Sequence, residues 1–266
     1  MAFQKSLFFI FLLALILVTY LISSFSFKNG VPTCNNFLIN VYLYLALSIV
    51  IVGLSCYGYN YILNEPEERN EYKDSIEIYR QYGIPIIIAL IISFFIIVYI
   101  SLSNNFNVTN FGKIHFSWLL FLILSSSSIY PLFKSINTKD VVENALIITA
   151  TIFTVMSFVA FLIPKFIEDT FNIVLLTSLI IMSTIIVFEL FNAFFVKDSS
   201  TKIQNLRYSS YLIIFLFSIL ITYDTHYITV LKKRCTSLPN YPKFSISFFL
   251  DIINIFRRTV FLSSNE

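Results

Sequence analysis

Eight apolar runs near or beyond twenty residues follow one another along this chain, at about 6–27, 37–63, 83–103, 114–133, 143–163, 170–196, 208–231 and 244–262. A helix rises about 1.5 Å per residue, so twenty residues cover the roughly 30 Å of hydrocarbon in a bilayer. With 57 % hydrophobic residues and 12 % charged ones, the pattern predicts an all-α polytopic membrane protein, not a soluble domain around one core. A transmembrane β-barrel is excluded because its strands alternate over about ten residues, whereas these runs are continuous. The connections are short and leave no room for a separate soluble domain.

Within this apolar background, Asp224 and Asp251 stand out. Each lies eight residues from one basic stretch, Asp224 before Lys232 and Asp251 after Lys243. On a helical hairpin that mirrored spacing puts both carboxyls about 12 Å into the membrane, facing each other. Ionisable groups at that depth are costly and rarely unpaired, which makes the pair the leading candidate for a functional site.

Charge distribution sets the expected topology. The net charge of +3 is too small to suggest a nucleic-acid partner. Lys232, Lys233, Arg234 and Lys243 cluster without an acid and mark a cytosolic loop, since basic loops are retained on that side during insertion. Counting back places the 64–82 loop outside; it holds Glu65, Glu67, Glu68, Glu71, Asp74 and Glu77. Lys197, Lys202 and Arg207 fall in a loop on that same outer side, and Asn107-Val108-Thr109, a glycosylation sequon, falls on the cytosolic side and reads as chance. Cys34, Cys56 and Cys235 form neither an even secreted framework nor a close metal-binding pair, so no disulfide is expected. Leu7 to Phe27 reads as a retained helix in preference to a cleaved signal, because its apolar run is too long and no small-x-small site follows.

The last run carries a polar stripe. Ser247, Asp251, Asn254 and Arg258 are spaced by four, three and four residues and share one helix face, with Phe248, Phe249, Ile252, Ile253 and Ile255 around them. Lipid cannot satisfy such a stripe, so it should face protein or a wet cavity, with Ser247, Asn254 and Arg258 as candidate pore-lining residues. The competing reading has Arg258 snorkelling to an interface and Asn254 bonding a neighbour. His226, two positions from Asp224 and off its face, reads as interfacial, as does His115. Two histidines and no paired cysteines argue against a transition-metal centre. Glu189 and Asn192 read chiefly as residues reaching the outer interface.

Val41-Tyr42 with Ala46-Leu47, Tyr130-Pro131-Leu132, Thr149-Ala150-Thr151-Ile152-Phe153 with Ser157 and Ala160, Tyr223-Asp224-Thr225, and the block from Phe249-Leu250-Asp251 to Arg257-Arg258 occur in register along the chain. In that order they resemble the Bax inhibitor-1 family, the transmembrane Bax inhibitor motif proteins, over roughly residues 35–263. The resemblance implies a seven-helix bundle with the last helix central, here plus an extra N-terminal hydrophobic helix and linker in residues 1–34. It implies residence in the endoplasmic reticulum or a related endomembrane, suppression of apoptosis, and a pH-sensitive Ca²⁺ leak. The family's proton-sharing aspartate dyad carries over to Asp224 and Asp251. Where some members hold the dyad with an arginine latch, the nearest base here is Lys113, a poorer bidentate partner.

The expected mechanism is coupled titration. Two adjacent carboxylates in a low-dielectric site cannot easily both ionise, so they share a proton, and losing it leaves repelling anions that loosen the hairpin and offer oxygens to a passing Ca²⁺. No cofactor is expected beyond Ca²⁺ as permeant ion, and no enzymatic activity. A second reading is a non-conducting scaffold that binds Bcl-2-type death regulators or calcium channels. A remote third is an intramembrane aspartyl protease, for which Tyr223-Asp224 fits but Phe248-Phe249-Leu250 before Asp251 does not match Gly-x-Gly-Asp.

Overall fold

The computed structural model describes residues 2–62, 75–103, 110–135, 139–235 and 238–264. Among them are eight helices, α1 (Ala2–Ser26), α2 (Phe37–Ile62), α3 (Ser75–Leu102), α4 (Phe111–Ser135), α5 (Lys139–Leu162), α6 (Pro164–Phe195), α7 (Ser199–Lys233) and α8 (Tyr241–Ser263). A two-residue strand pair, β1 (Phe27–Lys28) and β2 (Val31–Pro32), joins α1 to α2. The chain is an all-α polytopic membrane protein, since α1 to α7 each contain a stretch long and apolar enough to cross a bilayer. Rows of large apolar side chains on their outer faces, such as Leu13, Ile84, Phe95 and Phe194, suit lipid as solvent. The eighth expected span is the exception. Helix α8 carries Lys243, Asp251, Arg257 and Arg258 in 23 residues, too many charges to qualify on apolarity alone.

Three boundaries differ from expectation. Helix α3 begins at Ser75, so the later part of the acidic 64–82 segment is helical; the acids from Glu65 to Asp74, and the sequon at Asn107, lie outside the described residues. Helix α7 begins at Ser199, which puts Lys202 and Arg207 on a helix and not in a loop. Asp198 explains that early start as its N-cap: one carboxylate oxygen accepts from the Thr201 amide at 2.8 Å and the Ser200 hydroxyl at 2.6 Å. These bonds hold the exposed Asp198 carboxyl well below the usual carboxylate range. The third is the strand pair, whose turn residues Asn29 and Gly30 both have positive φ, 54° and 77°. An Asn-Gly pair adopts this primed turn readily.

The chain forms two compact units. The first comprises Met1–Asn137 with Leu231–Phe249. In it α1 packs along α2, with Phe8 stacked on Tyr57 and the Phe11 ring lying over Gly53. Helix α4 packs on α2 and α3. The start of α8 is tied down by an aromatic and polar set: Tyr241 stacks on Tyr44, donates to the Thr33 carbonyl, and receives the Asn40 amide at 3.0 Å. His115 is bonded to the Tyr44 hydroxyl at 2.9 Å. A disulfide joins Cys34 to Cys235. This corrects the expectation that no disulfide forms: the two cysteines are 201 residues apart, and only the fold brings the start of α2 beside the α7–α8 turn.

The second unit comprises Thr138–Val230 with Leu250–Glu266, that is α5, α6, most of α7 and the later half of α8. Its core packs Ile213, Phe217 and Ile221 of α7 against Ile255 of α8 and Ile185 of α6. Ala160, Ile167 and Tyr223 form a second cluster. Hydroxyls along these helices bond back to carbonyls one turn earlier, as Thr151 does to Ile147 and Ser218 to Ile214, so few polar atoms are left facing lipid.

Candidate functional site: a carboxyl pair and an ion pair on one helix

Both aspartates lie in the second unit, Asp224 on α7 and Asp251 on α8. Asp251 is buried, at 5 % exposure, while Asp224 is half-buried. The two carboxyls interact as like charges and as hydrogen-bond partners. The other oxygen of Asp251, Oδ2, is buried without a hydrogen-bond partner among the described residues.

Neighbouring hydroxyls fix this stretch of α7. The Tyr223 hydroxyl meets that of Thr170 on α6 at 2.6 Å, Thr222 donates to the Met156 carbonyl of α5 at 3.2 Å, and Thr225 donates to Ser157 at 3.4 Å. Bonds on both sides of Asp224 thus hold its helix face in register. His226 is buried, at 8 % exposure, because α7 continues to Lys233 and keeps His226 among packed residues.

The polar stripe of α8 divides. Asp251 meets Asp224, and Asn254 bonds the Leu250 carbonyl of its own helix at 2.8 Å. Ser247 is exposed and belongs to the first unit. Lys113, the candidate latch, is exposed on the first turn of α4 in the first unit.

Arg258 does not stand alone. Its guanidinium makes a two-pronged contact with Glu189 of α6, Nη1 to Oε1 at 2.7 Å and Nη2 to Oε2 at 2.9 Å. Ser209 of α7 donates to Glu189 Oε1 at 2.7 Å. Glu189 is therefore a packed partner of α7 and α8. Asn192, one turn on, is likewise buried: it donates to the Lys202 carbonyl at 3.1 Å and accepts from Asn205 at 3.0 Å. Sequence reasoning had both members of the ion pair and did not join them. The available signal was their opposite sign, two lone charges in apolar helices that each needed a partner.

Asp251 and Arg258 are seven residues, about 10.5 Å, apart along α8. Between them Ile255 packs with Ile221, Phe217 and Ile213. The unit thus has a carboxyl level, an apolar layer, and an ion-pair level, all spanned by α7 and α8.

A family model described as Inhibitor of apoptosis-promoting Bax1 matches residues 34–263. No curated protein and no solved structure gave a match. The matched region takes in both aspartates, the ion pair and all but the first of the seven apolar spans, and this chain belongs to the Bax inhibitor-1 family of multi-pass membrane proteins.

Proposed function

We propose that the protein is a pH-sensitive Ca²⁺ leak of an endomembrane, such as the endoplasmic reticulum, through which it suppresses apoptosis. The observation that carries this reading is the contact between the Asp224 and Asp251 carboxyls, one of them almost fully buried. Two carboxyls bond to each other only while they share a proton. Acid conditions keep that proton in place and hold α7 against α8. Its loss leaves two anions in a poorly solvated site, and their repulsion opens the pair.

The apolar layer of Ile213, Phe217, Ile221 and Ile255 acts as the barrier in the closed state, since an ion cannot shed its water among apolar side chains. Two carboxylates offer fewer oxygens than the six to eight a resident Ca²⁺ takes, which suits transit more than storage. The reading assigns no enzymatic step to the aspartates.

Calcium flux from liposomes containing the purified protein tests it. Wild-type flux should rise as pH increases. Asp224→Asn and Asp251→Asn, which keep a hydrogen-bonding group but cannot ionise, should lose that dependence. Wild-type flux with wild-type pH dependence in both variants would overturn the gate. A variant that lacks flux yet still protects cells from death stimuli would favour the scaffold reading.

A further inference from the structure

We infer that the first unit contains a binding site for the phosphate group of an anionic lipid, in the cleft between the α7–α8 turn and the start of α2. The inference rests on the first unit alone and does not depend on the leak. The cleft has a volume of about 190 Å³ and is lined in part by Asn240, Lys243 and Arg234, with Phe37, Leu238 and Phe244 as apolar wall.

Asn240 is the N-cap of α8. Its Oδ1 accepts from the Lys243 amide at 3.1 Å, which fixes the orientation of the side-chain amide and leaves Nδ2 as the donor aimed elsewhere. Asn240 is only 7 % exposed, and its Nδ2 is buried without a hydrogen-bond partner among the described residues. A buried N–H left without an acceptor is costly, so a lining donor of this kind calls for an acceptor from outside the protein.

Three further features specify an anion. Lys243 Nζ donates to the Ser101 carbonyl at 2.8 Å, which orients the ammonium while leaving it two more protons to donate. Arg234 adds an exposed guanidinium at the mouth, a group whose fork matches phosphate oxygens. The 23-residue helix α8 directs the positive end of its dipole into the same space. The apolar wall and the position distinguish a lipid from a free ion. Phe37 opens α2, Ser103 follows the end of α3, and Leu231 lies in the last turn of α7, so the cleft sits where apolar helices end and a headgroup would lie. Phe244, partly exposed and backed by the buried Phe37 ring 5.5 Å away, then contacts the glycerol and upper acyl region.

The test is lipid retention by the full-length protein in phosphatidylcholine nanodiscs with or without phosphatidic acid, read by native mass spectrometry, with a parallel arm offering inorganic phosphate to the detergent-solubilised protein. Phosphatidic acid should be retained and inorganic phosphate should not. Asn240→Asp keeps the cap but replaces the free donor with a negative acceptor, and should weaken retention about tenfold or more, the loss of one charge-assisted hydrogen bond. Lys243→Gln and Arg234→Gln, both at the more accessible side of the cleft, should each weaken it as well. An unchanged melting temperature in phosphatidylcholine alone verifies that each variant is folded. Undiminished phosphatidic acid retention in folded Asn240→Asp and Lys243→Gln would overturn the site, and equal binding of inorganic phosphate would overturn the lipid assignment.

Discussion

The ion pair between Glu189 and Arg258 makes a quantitative prediction, because its two members fail differently when separated. Removing one member of a fully buried pair costs about 3–5 kcal/mol, chiefly from the charge left behind. Here the side chains keep 24 % and 25 % exposure, which relieves part of that cost and brings the expectation to about 2–3 kcal/mol. Arg258→Met leaves a carboxylate that retains the Ser209 hydroxyl at 2.7 Å and can also neutralise itself by taking up a proton. Glu189→Met leaves a guanidinium that cannot release one. The second variant should therefore be the worse, at about 3 kcal/mol against about 2.

The double variant decides the matter. With both charges replaced by flexible apolar side chains of similar reach, no charge is stranded, and the loss should fall below about 1 kcal/mol. A double-mutant cycle, measured by denaturant unfolding in detergent at fixed pH and ionic strength, should return a coupling of about 4 kcal/mol. If both single variants stay within about 0.5 kcal/mol of wild type, or the double variant loses the sum of the two, the pair does not stabilise the unit in the way its geometry implies.

Other perturbations probe separate parts of the fold. Cys34 and Cys235 should resist maleimide labelling in intact membranes until a reductant is added; free labelling without reductant would show that the bond does not form. Closing 201 residues gives an entropic ceiling of about 5 kcal/mol, but inserted spans already restrict the ends, so Cys235→Ser should cost about 1–2 kcal/mol. Asp198 has a folded pKa below its unfolded value, so its contribution is full above the unfolded pKa and is lost as pH falls through the folded one. Asp198→Ala should accordingly speed hydrogen exchange in the first turn of α7 at neutral pH, with the difference from wild type closing in strong acid; equal exchange at neutral pH would refute the cap. A Cβ at Gly53 would lie 2.5 Å from Cζ of Phe11. Gly53→Leu should cost about 1–3 kcal/mol by overpacking α1 on α2, and adding Phe11→Ala should restore part of it; no rescue would count against that contact.

Period and length made the helices legible, because a lipid-facing helix must be apolar nearly throughout and little else satisfies a backbone in hydrocarbon. The aspartates were legible for the converse reason, as charges where apolarity was required. Features that depend on two distant residues were harder to read. Nothing local to Cys34 announces Cys235, and nothing near Glu189 announces Arg258. The strand pair and the early start of α7 differ in kind: Asn29-Gly30 and Asp198 are local signals, overlooked beneath a hydropathy pattern that treats every polar connection alike. Helix α8 shows the limit of that pattern. Its charges lower its apolarity, yet one of them is buried against a second carboxyl and another is held in an ion pair.

The α7–α8 turn is subject to two opposed demands. Lys232, Lys233, Arg234 and Lys243 favour the cytosolic side, because basic loops resist translocation. The Cys34–Cys235 bond favours an oxidising compartment, because cytosolic thiols are kept reduced. The two rules act at different stages, one during insertion and one on the finished protein, and in an ordinary cell the same turn satisfies only one of them. If the labelling experiment finds the bond intact, the basic cluster stands on the oxidising side against the insertion rule, and retention in the cytosol no longer accounts for its charge. Two of its four bases, Arg234 and Lys243, line the cleft with Asn240, whose Nδ2 has no partner among the described residues. Anion binding then explains why those positive charges cluster at the start of α8. Under the proposed function, the side of the membrane whose pH reaches the Asp224–Asp251 pair follows from the same result, because eight residues of sequence separate each aspartate from that turn's flanking lysines.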